Sequence, residues 1–139
     1  KTYLSACIAM EVAARGYEVR YYPAQALIDR FERVRFNREA GADDLTAMRE
    51  ILSCDLLILD DLGAEFATAY SQSVLYQVIN DRMTEGRATI ISTNLDLPTL
   101  SKAYNERILS RLIGSYTMLG FVGRDIRQQK LARRREGNT

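Results

Sequence analysis

The chain has 139 residues, 47% of them hydrophobic and 27% charged, which suits one soluble domain with a packed core. With no histidine and only Cys7 and Cys54, zinc sites and Ser-His-Asp or Cys-His catalysis are excluded. The net charge of +1 is unevenly spread: residues 107–139 hold eight basic side chains against Asp125 and Glu136, so the remainder is acidic. A basic end suits an anionic partner or a solvated tail. The two cysteines are far apart in apolar surroundings and are expected as buried thiols in a reducing, cytoplasmic compartment. No apolar run reaches membrane-spanning length, and neither a signal peptide nor an internal repeat is visible.

The chain opens on Lys1-Thr2. The Ala-rich segment that follows, Tyr3 to Ala14, has apolar residues at Leu4, Ile8 and Val12, which predicts a helix stopped by Gly16. Lys-Thr at a helix start matches the end of a Gly-Lys-[Ser/Thr] phosphate loop, and by itself it equally fits an exposed terminus. In such a loop the lysine reaches the β- and γ-phosphates, the hydroxyl binds Mg²⁺ and the helix N-terminus favours the anion. Glu18 to Tyr22 predicts a short strand closed by Pro23. From Ala24 to Asn37 the stripe Leu27, Ile28, Phe31 and Val34 predicts a helix decorated by Arg30, Arg33, Arg35 and Arg38. Asp29, Glu32 and Glu39 lie among those arginines, so a salt-bridged surface is the expected reading over a phosphate-binding one. Gly41 breaks the run. Asp43 or Asp44 can then cap a second helix carrying Leu45, Met48, Ile51 and Leu52.

Leu56 to Leu59 are four aliphatic residues running straight into Asp60 and Asp61, then Leu62 and Gly63. An apolar run without alternation predicts a strand buried on both faces of a parallel sheet. Acids at its end lie at the C-terminal sheet edge, where open α/β sheets place ligands. A buried carboxylate costs several kcal/mol unless paired or bound to a metal. The spacing matches a Walker B element, in which the first acid helps hold Mg²⁺ and the second handles the attacking water. Gly63 to Glu65 is a loop. Ser71 to Thr84 predicts a helix with Val74, Leu75, Val78, Ile79 and Met83 buried, and Gly86 stops it. Ala88 to Ser92 predicts a second buried strand, ending in Thr93 and Asn94 on the same sheet edge. Asn94 also fits a plain turn before Leu95 to Pro98, and Pro98 fits the first turn of a helix. Glu106 to Ile113 is helical, with Arg107 and Arg111 on one face. Tyr116 to Val122 predicts a last strand, and Gly123 to Arg127 leads into a basic tail over 124–139, expected to fray. Four strands alternating with helices predict parallel βαβ units.

The series Lys1-Thr2-Tyr3-Leu4-Ser5, Leu56 to Glu65, Ile90 to Asn94, Glu106 to Gly114 and Gly123 to Arg127 resembles the AAA+ core of bacterial replicative-helicase loaders of the DnaC/DnaI type. More loosely it resembles the IstB transposition helpers. The five stretches stand in family order and cover nearly the whole chain. The resemblance implies an α/β fold, a three-layer αβα P-loop NTPase core with a parallel sheet, spanning 1–139 as one N-terminally truncated domain. Its strand order would be 5-1-4-3-2, with the first strand and the glycine-rich loop missing ahead of Lys1. A chain lacking that cradle is expected to bind ATP poorly, and the Mg²⁺-dependent ATPase belongs to the parent protein.

Residue by residue, the resemblance implies that Lys1 is the Walker A lysine and Thr2 its Mg²⁺ ligand. Asp60 would be the Walker B acid. Asp61 stands where AAA+ proteins usually carry a catalytic glutamate, one methylene longer, which implies slow hydrolysis. Asn94 matches sensor 1 and Arg111 an arginine finger acting on the ATP of a neighbouring subunit, with Arg107 as second candidate; self-association follows. Arg127 resembles sensor 2, with Arg124 as the alternative. Each arginine also fits a surface salt bridge. The implied partners are the replicative helicase, through a region absent here, and single-stranded DNA, for which Arg33, Arg35, Phe36 and Arg38 are candidates. An alternative of a different class is a non-catalytic nucleic-acid or protein-interaction module on a degenerate P-loop fold.

Overall fold

In a computed structural model, described over residues 1–36, 40–65 and 67–123, six helices alternate with three strands. The order is α1 (Thr2–Ala14), β1 (Val19–Pro23), α2 (Ala24–Phe36), α3 (Ala42–Ser53), β2 (Leu56–Leu62), α4 (Ala69–Thr84), β3 (Ala88–Thr93), α5 (Leu97–Ala103) and α6 (Glu106–Ser115). The sheet is parallel, in the order β1-β2-β3, which is the expected 4-3-2 part of the sheet.

Side chains alternate across a strand. Leu57 and Leu59 of β2 join the main core with Leu27, Ile28 and Phe31 of α2, Val74, Leu75, Val78 and Ile79 of α4, and Ile108 and Leu112 of α6. Leu56 and Ile58 are equally buried but face the other way, where α1 packs over β1 and β2. That makes three layers, with β2 covered on both faces as its unbroken apolar run requires.

Strict alternation would send Asp61 into the core beside Leu57 and Leu59. A register shift between Leu59 and Leu62 prevents this: Leu59 pairs with Ile91, but Leu62 pairs with Thr93. The extra residue is a bulge. Asp61 adopts φ 58°, the left-handed region that aspartate tolerates better than most residues. Leu62 thereby returns to the core and Asp61 turns out to solvent. Next, Gly63 has φ 101°, and a Cβ there would overlap the Leu95 side chain, so only glycine lets these two loops close together.

Several expectations need correction. Tyr116 to Val122 makes no ladder with the described strands: the expected strand order puts another strand between this segment and β3, and among the described residues none stands there to present an edge. Cys7 is exposed while Cys54 is buried, because α1 buries only Ser5 fully and turns Cys7 away from the sheet. The N-cap of α3 is Gly41, and neither Asp43 nor Asp44 caps it; Asp44 instead accepts from Arg30 at 2.8 Å and Arg33 at 3.3 Å. Helix α4 starts at Ala69, ahead of Ser71, because Thr68 and Ser71 form a reciprocal capping box.

The largest surprise is on the buried face of α4, where Arg82 is fully enclosed and Met83 only partly. Its guanidinium has no carboxylate partner among the described residues. It donates instead to Ile51 O at 2.8 Å and Leu52 O at 3.3 Å, the carbonyls left over at the end of α3, and to Ala88 O at 2.7 Å and Thr89 Oγ1 at 3.0 Å at the start of β3. Burial draws its pKa below the usual arginine value, and the nearby Cys54 thiol opposes that. One side chain thus ties α3, α4 and β3 at the N-terminal edge of the sheet. Arg82→Met is expected to lower stability by about 3 kcal/mol, since it strands several buried acceptors. Urea unfolding followed by circular dichroism checks this; a loss within surface-substitution range would contradict the bracing role.

Candidate functional site

At the opposite, C-terminal edge of the sheet, Asp60 lies in the last part of β2 on the face covered by α1. It is 7% exposed. Tyr21 pairs in register with Ile58, so it shares that face, and its hydroxyl donates to Asp60 Oδ2 at 2.6 Å. Ser92, two residues past Ile90 on β3, points the same way; its hydroxyl donates to Asp60 Oδ1 and accepts from the Asp61 backbone N–H at 3.1 Å. Thr2, in the first turn of α1, donates to Oδ2 at 3.1 Å and Oδ1 at 3.3 Å. Three elements therefore converge on one carboxylate. Burial pushes the Asp60 pKa up, but hydrogen bonds from Ser92, Tyr21, Thr2 and the Asp61 backbone outweigh it and hold the carboxyl below its ordinary value. For Tyr21, burial and then the adjoining Asp60 carboxylate push the phenol up to about 12.

The second acid lies on a parallel chain of contacts. Lys1 Nζ donates to Asn94 Oδ1 at 2.9 Å and to the Thr93 carbonyl, while Asn94 Nδ2 donates to Asp61 Oδ1 at 3.3 Å. Thr93 Oγ1 donates to Leu62 O at 2.6 Å, fastening β3 to the bulge. Lys1, Thr2, Asp60, Asp61 and Asn94 are thus brought together.

The donor set fits a metal that arrives with a nucleotide. Asp60 is a buried anion held only by neutral donors, with no lysine or arginine ion pair among the described residues. Its charge is left without a counter-charge, which favours a cation beside it. No group of three or more acidic or Cys ligands is present among the described residues. One carboxylate and one hydroxyl suit Mg²⁺, which keeps waters and takes further oxygens from phosphates. Lys1, at the N-terminal end of a 13-residue helix and without an acidic partner among the described residues, suits the phosphates.

Arg111 is not part of this cluster. It lies on α6 against α4, stacked 4.5 Å from the Tyr76 ring centroid, and donates to Tyr76 OH at 2.9 Å, Asn80 Oδ1 at 3.0 Å and Arg107 O at 3.1 Å. Arg107 is exposed. Arg38, Arg124 and Arg127 lie outside the described residues. Of the nucleic-acid candidates, Arg33 is in the Asp44 ion pair, as the salt-bridged reading expects. Arg35 is not ion-paired among the described residues: its guanidinium lies 5.2 Å from the Phe36 ring and 5.0 Å from that of Tyr70, two rings in edge contact at 5.3 Å. Phe36 is 64% exposed.

Sequence reasoning missed Tyr21, Ser92 and Tyr70, and also Glu65. The Glu65 carboxylate is buried and accepts from Gly63 N at 2.7 Å and from the Tyr104 hydroxyl, fixing the loop after the bulge. The signal for Tyr21 and Ser92 was present: each is a hydroxyl near the C-terminal end of a strand flanking the Asp60 strand.

A parallel three-layer sheet whose helix-start Lys-Thr meets acids at a strand end places the chain among P-loop nucleotide-binding proteins. A family model described as IstB-like ATP binding protein matches residues 1–130, and the chain belongs to that family. The replicative helicase loader DnaC of Escherichia coli (strain K12) is 25% identical over 116 residues, 81% of this chain and 45% of the loader. DnaC of Buchnera aphidicola subsp. Baizongia pistaciae is 23% identical over 122 residues, 87% of this chain and 49% of that protein. The chain thus spans about half the length of the curated relatives it matches. The crystal structure of the DnaC helicase loader superposes with a TM-score of 0.73 at 21% identity, over 85% of this chain and 70% of that one. The replication initiator DnaA bound to AMPPCP and single-stranded DNA superposes at 0.63 and 21% identity, over 76% and 32%. The fold is that of the AAA+ core. No helix among the described residues is long and apolar enough to cross a membrane.

The depressed Asp60 pKa has a sign that can be checked. An acid whose folded pKa lies below its unfolded value contributes stability above the unfolded pKa, and that stability is lost as pH falls through the folded pKa. Below about pH 4 the wild-type chain is therefore expected to lose stability more steeply than Asp60→Asn. Urea midpoints measured across that range test this; parallel pH slopes would contradict the hydroxyl-held carboxylate.

Proposed function

We propose that the chain is the ATP-binding core of a protein that helps load the replicative helicase onto single-stranded DNA, with Mg²⁺ beside the nucleotide. The observation that carries this reading is the meeting of Lys1, Thr2, Asp60, Asp61 and Asn94, which come from three separate stretches of the chain. Relatives named as replicative helicase loaders support the process. Thr2 and Asp60 hold the Mg²⁺, and Lys1 binds the phosphates. When bound, Mg²⁺·ATP supplies the phosphoryl group and neutralises part of its charge. Asp61 and Asn94, already hydrogen-bonded to each other, orient the attacking water. Arg111 is presented by the Tyr76 ring and Asn80 as a group for the nucleotide of a second copy, which makes self-association part of the reading. Arg124 and Arg127 keep their sensor 2 candidacy from the family resemblance alone. The helicase is met through a region outside this chain, and the site works in the cytoplasm.

The group of exposed Arg35 and Phe36 with half-buried Tyr70 supports single-stranded DNA as the nucleic-acid partner: the Phe36 ring offers a face for a base and the guanidinium a charge for phosphates. The family match favours a second reading, a transposition helper of the IstB kind acting on double-stranded DNA.

The primary test is binding of a fluorescent, non-hydrolysable ATP analogue to the full-length gene product and to residues 1–139 alone. We expect Mg²⁺-dependent binding to the full-length protein, much weaker binding to 1–139, and loss of the Mg²⁺-dependent part in Asp60→Asn. A full-length protein indifferent to ATP would overturn the reading. For DNA, Phe36→Ala and Arg35→Ala are each expected to weaken oligothymidine binding about tenfold, within the ~1–3 kcal/mol of a stacked base. Salt should weaken the wild-type complex steeply. Unchanged affinity in both variants would remove this surface from the model of function, and preference for duplex would favour the transposition reading.

A further inference from the structure

The hydroxyl contacts to the Asp60 carboxylate are not alike. Tyr21 OH donates to Oδ2 at 2.6 Å, within the usual length of a charge-assisted O–H···O⁻ bond, and the Ser92 hydroxyl donates to Oδ1 alone. Thr2 is different: its hydroxyl is shared between the two oxygens at 3.1 and 3.3 Å, beyond the ordinary O–H···O range. The Tyr21 and Ser92 contacts come from the flanking strands, one from β1 and one from β3, and they hold opposite oxygens. The loose one comes from the end of α1, the element that carries the nucleotide-binding Lys1. A carboxylate oxygen has two lone pairs, so a single such donor on each leaves one lone pair per oxygen for other partners.

We infer that Tyr21 is a positioning residue for the Mg²⁺ site, its phenol hydroxyl forming with Ser92 a clamp that fixes the orientation of Asp60 while Thr2 is free to turn toward the metal. This rests on the Mg²⁺·ATP reading above. The clamp acts through Asp60 and touches neither metal nor nucleotide itself. Without the phenol, Oδ2 keeps only the long Thr2 contact, and the carboxylate can swing about its Cβ–Cγ bond. Donors that orient metal-binding side chains typically matter 10- to 100-fold for metal affinity. Tyr22, the next residue on β1, faces the core instead and serves as the internal control.

The experiment measures the Mg²⁺ concentration that half-saturates ATP-analogue binding in the full-length gene product, together with analogue affinity in EDTA. For Tyr21→Phe we expect the Mg²⁺ requirement to rise about tenfold, with affinity in EDTA unchanged. Ser92→Ala, which opens the other side of the clamp, should shift it in the same direction, and Tyr22→Phe should not shift it. An unchanged or lowered Mg²⁺ requirement in Tyr21→Phe overturns the proposal; a lowered one means that the phenol competes with the metal. An equal loss in EDTA also overturns it, because a merely structural tyrosine would weaken both states alike. If the unsubstituted protein itself shows no Mg²⁺-dependent binding, the ATP reading fails and this inference fails with it, whatever the variants do.

Discussion

The Asp60 carboxylate is the point on which the arrangement depends. It is an anion set at the end of the most buried strand, and water reaches little of it. Such a group persists only if it is hydrogen-bonded. Here the donors are hydroxyls rather than a cation. The hydroxyls come from α1, β1 and β3, so satisfying one carboxylate also aligns three elements. The same chemistry keeps the acid ionised and leaves it without a counter-charge, a state suited to receiving a metal.

The neighbouring residue solves a conflict of pattern. Two acids in succession on a doubly buried strand would drive one of them into the apolar core. The bulge at Asp61 removes the conflict by using one left-handed residue, after which Leu62 is back in the core and Asp61 faces Asn94. Residues held in sparsely populated backbone regions persist when their surroundings fix them. The surroundings here are the Ser92 hydroxyl on the Asp61 N–H and the Thr93 hydroxyl on the Leu62 carbonyl. The proposed role and the backbone strain therefore sit in the same residue.

Bracing and the candidate site occupy opposite edges of the sheet. Arg82 gathers leftover carbonyls of α3 and the start of β3 at one edge, and the carboxylate cluster lies at the other. This separation lets the site edge keep exposed groups such as Lys1 and Asp61 without loosening the core. The aromatic and arginine group at Phe36 and Tyr70 lies at a third place, where the end of α2 meets the start of α4.

Local pattern determined much of this protein. The apolar run of Leu56 to Leu59 and the spacing of Lys1-Thr2, Asp60-Asp61 and Asn94 made the parallel sheet and the edge that carries the site legible, because burial and strand ends are one-dimensional properties of a chain. Tertiary structure alone decided the rest. It chose which hydroxyls complete Asp60, since Tyr21 and Ser92 reach it only through strand register. It buried Arg82 where periodicity favoured Met83, since the carbonyls that satisfy it come from other elements. It exposed Cys7 and left Tyr116 to Val122 without a strand partner among the described residues, because burial and strand pairing need a neighbour, and a segment's own residues do not specify where that neighbour stands.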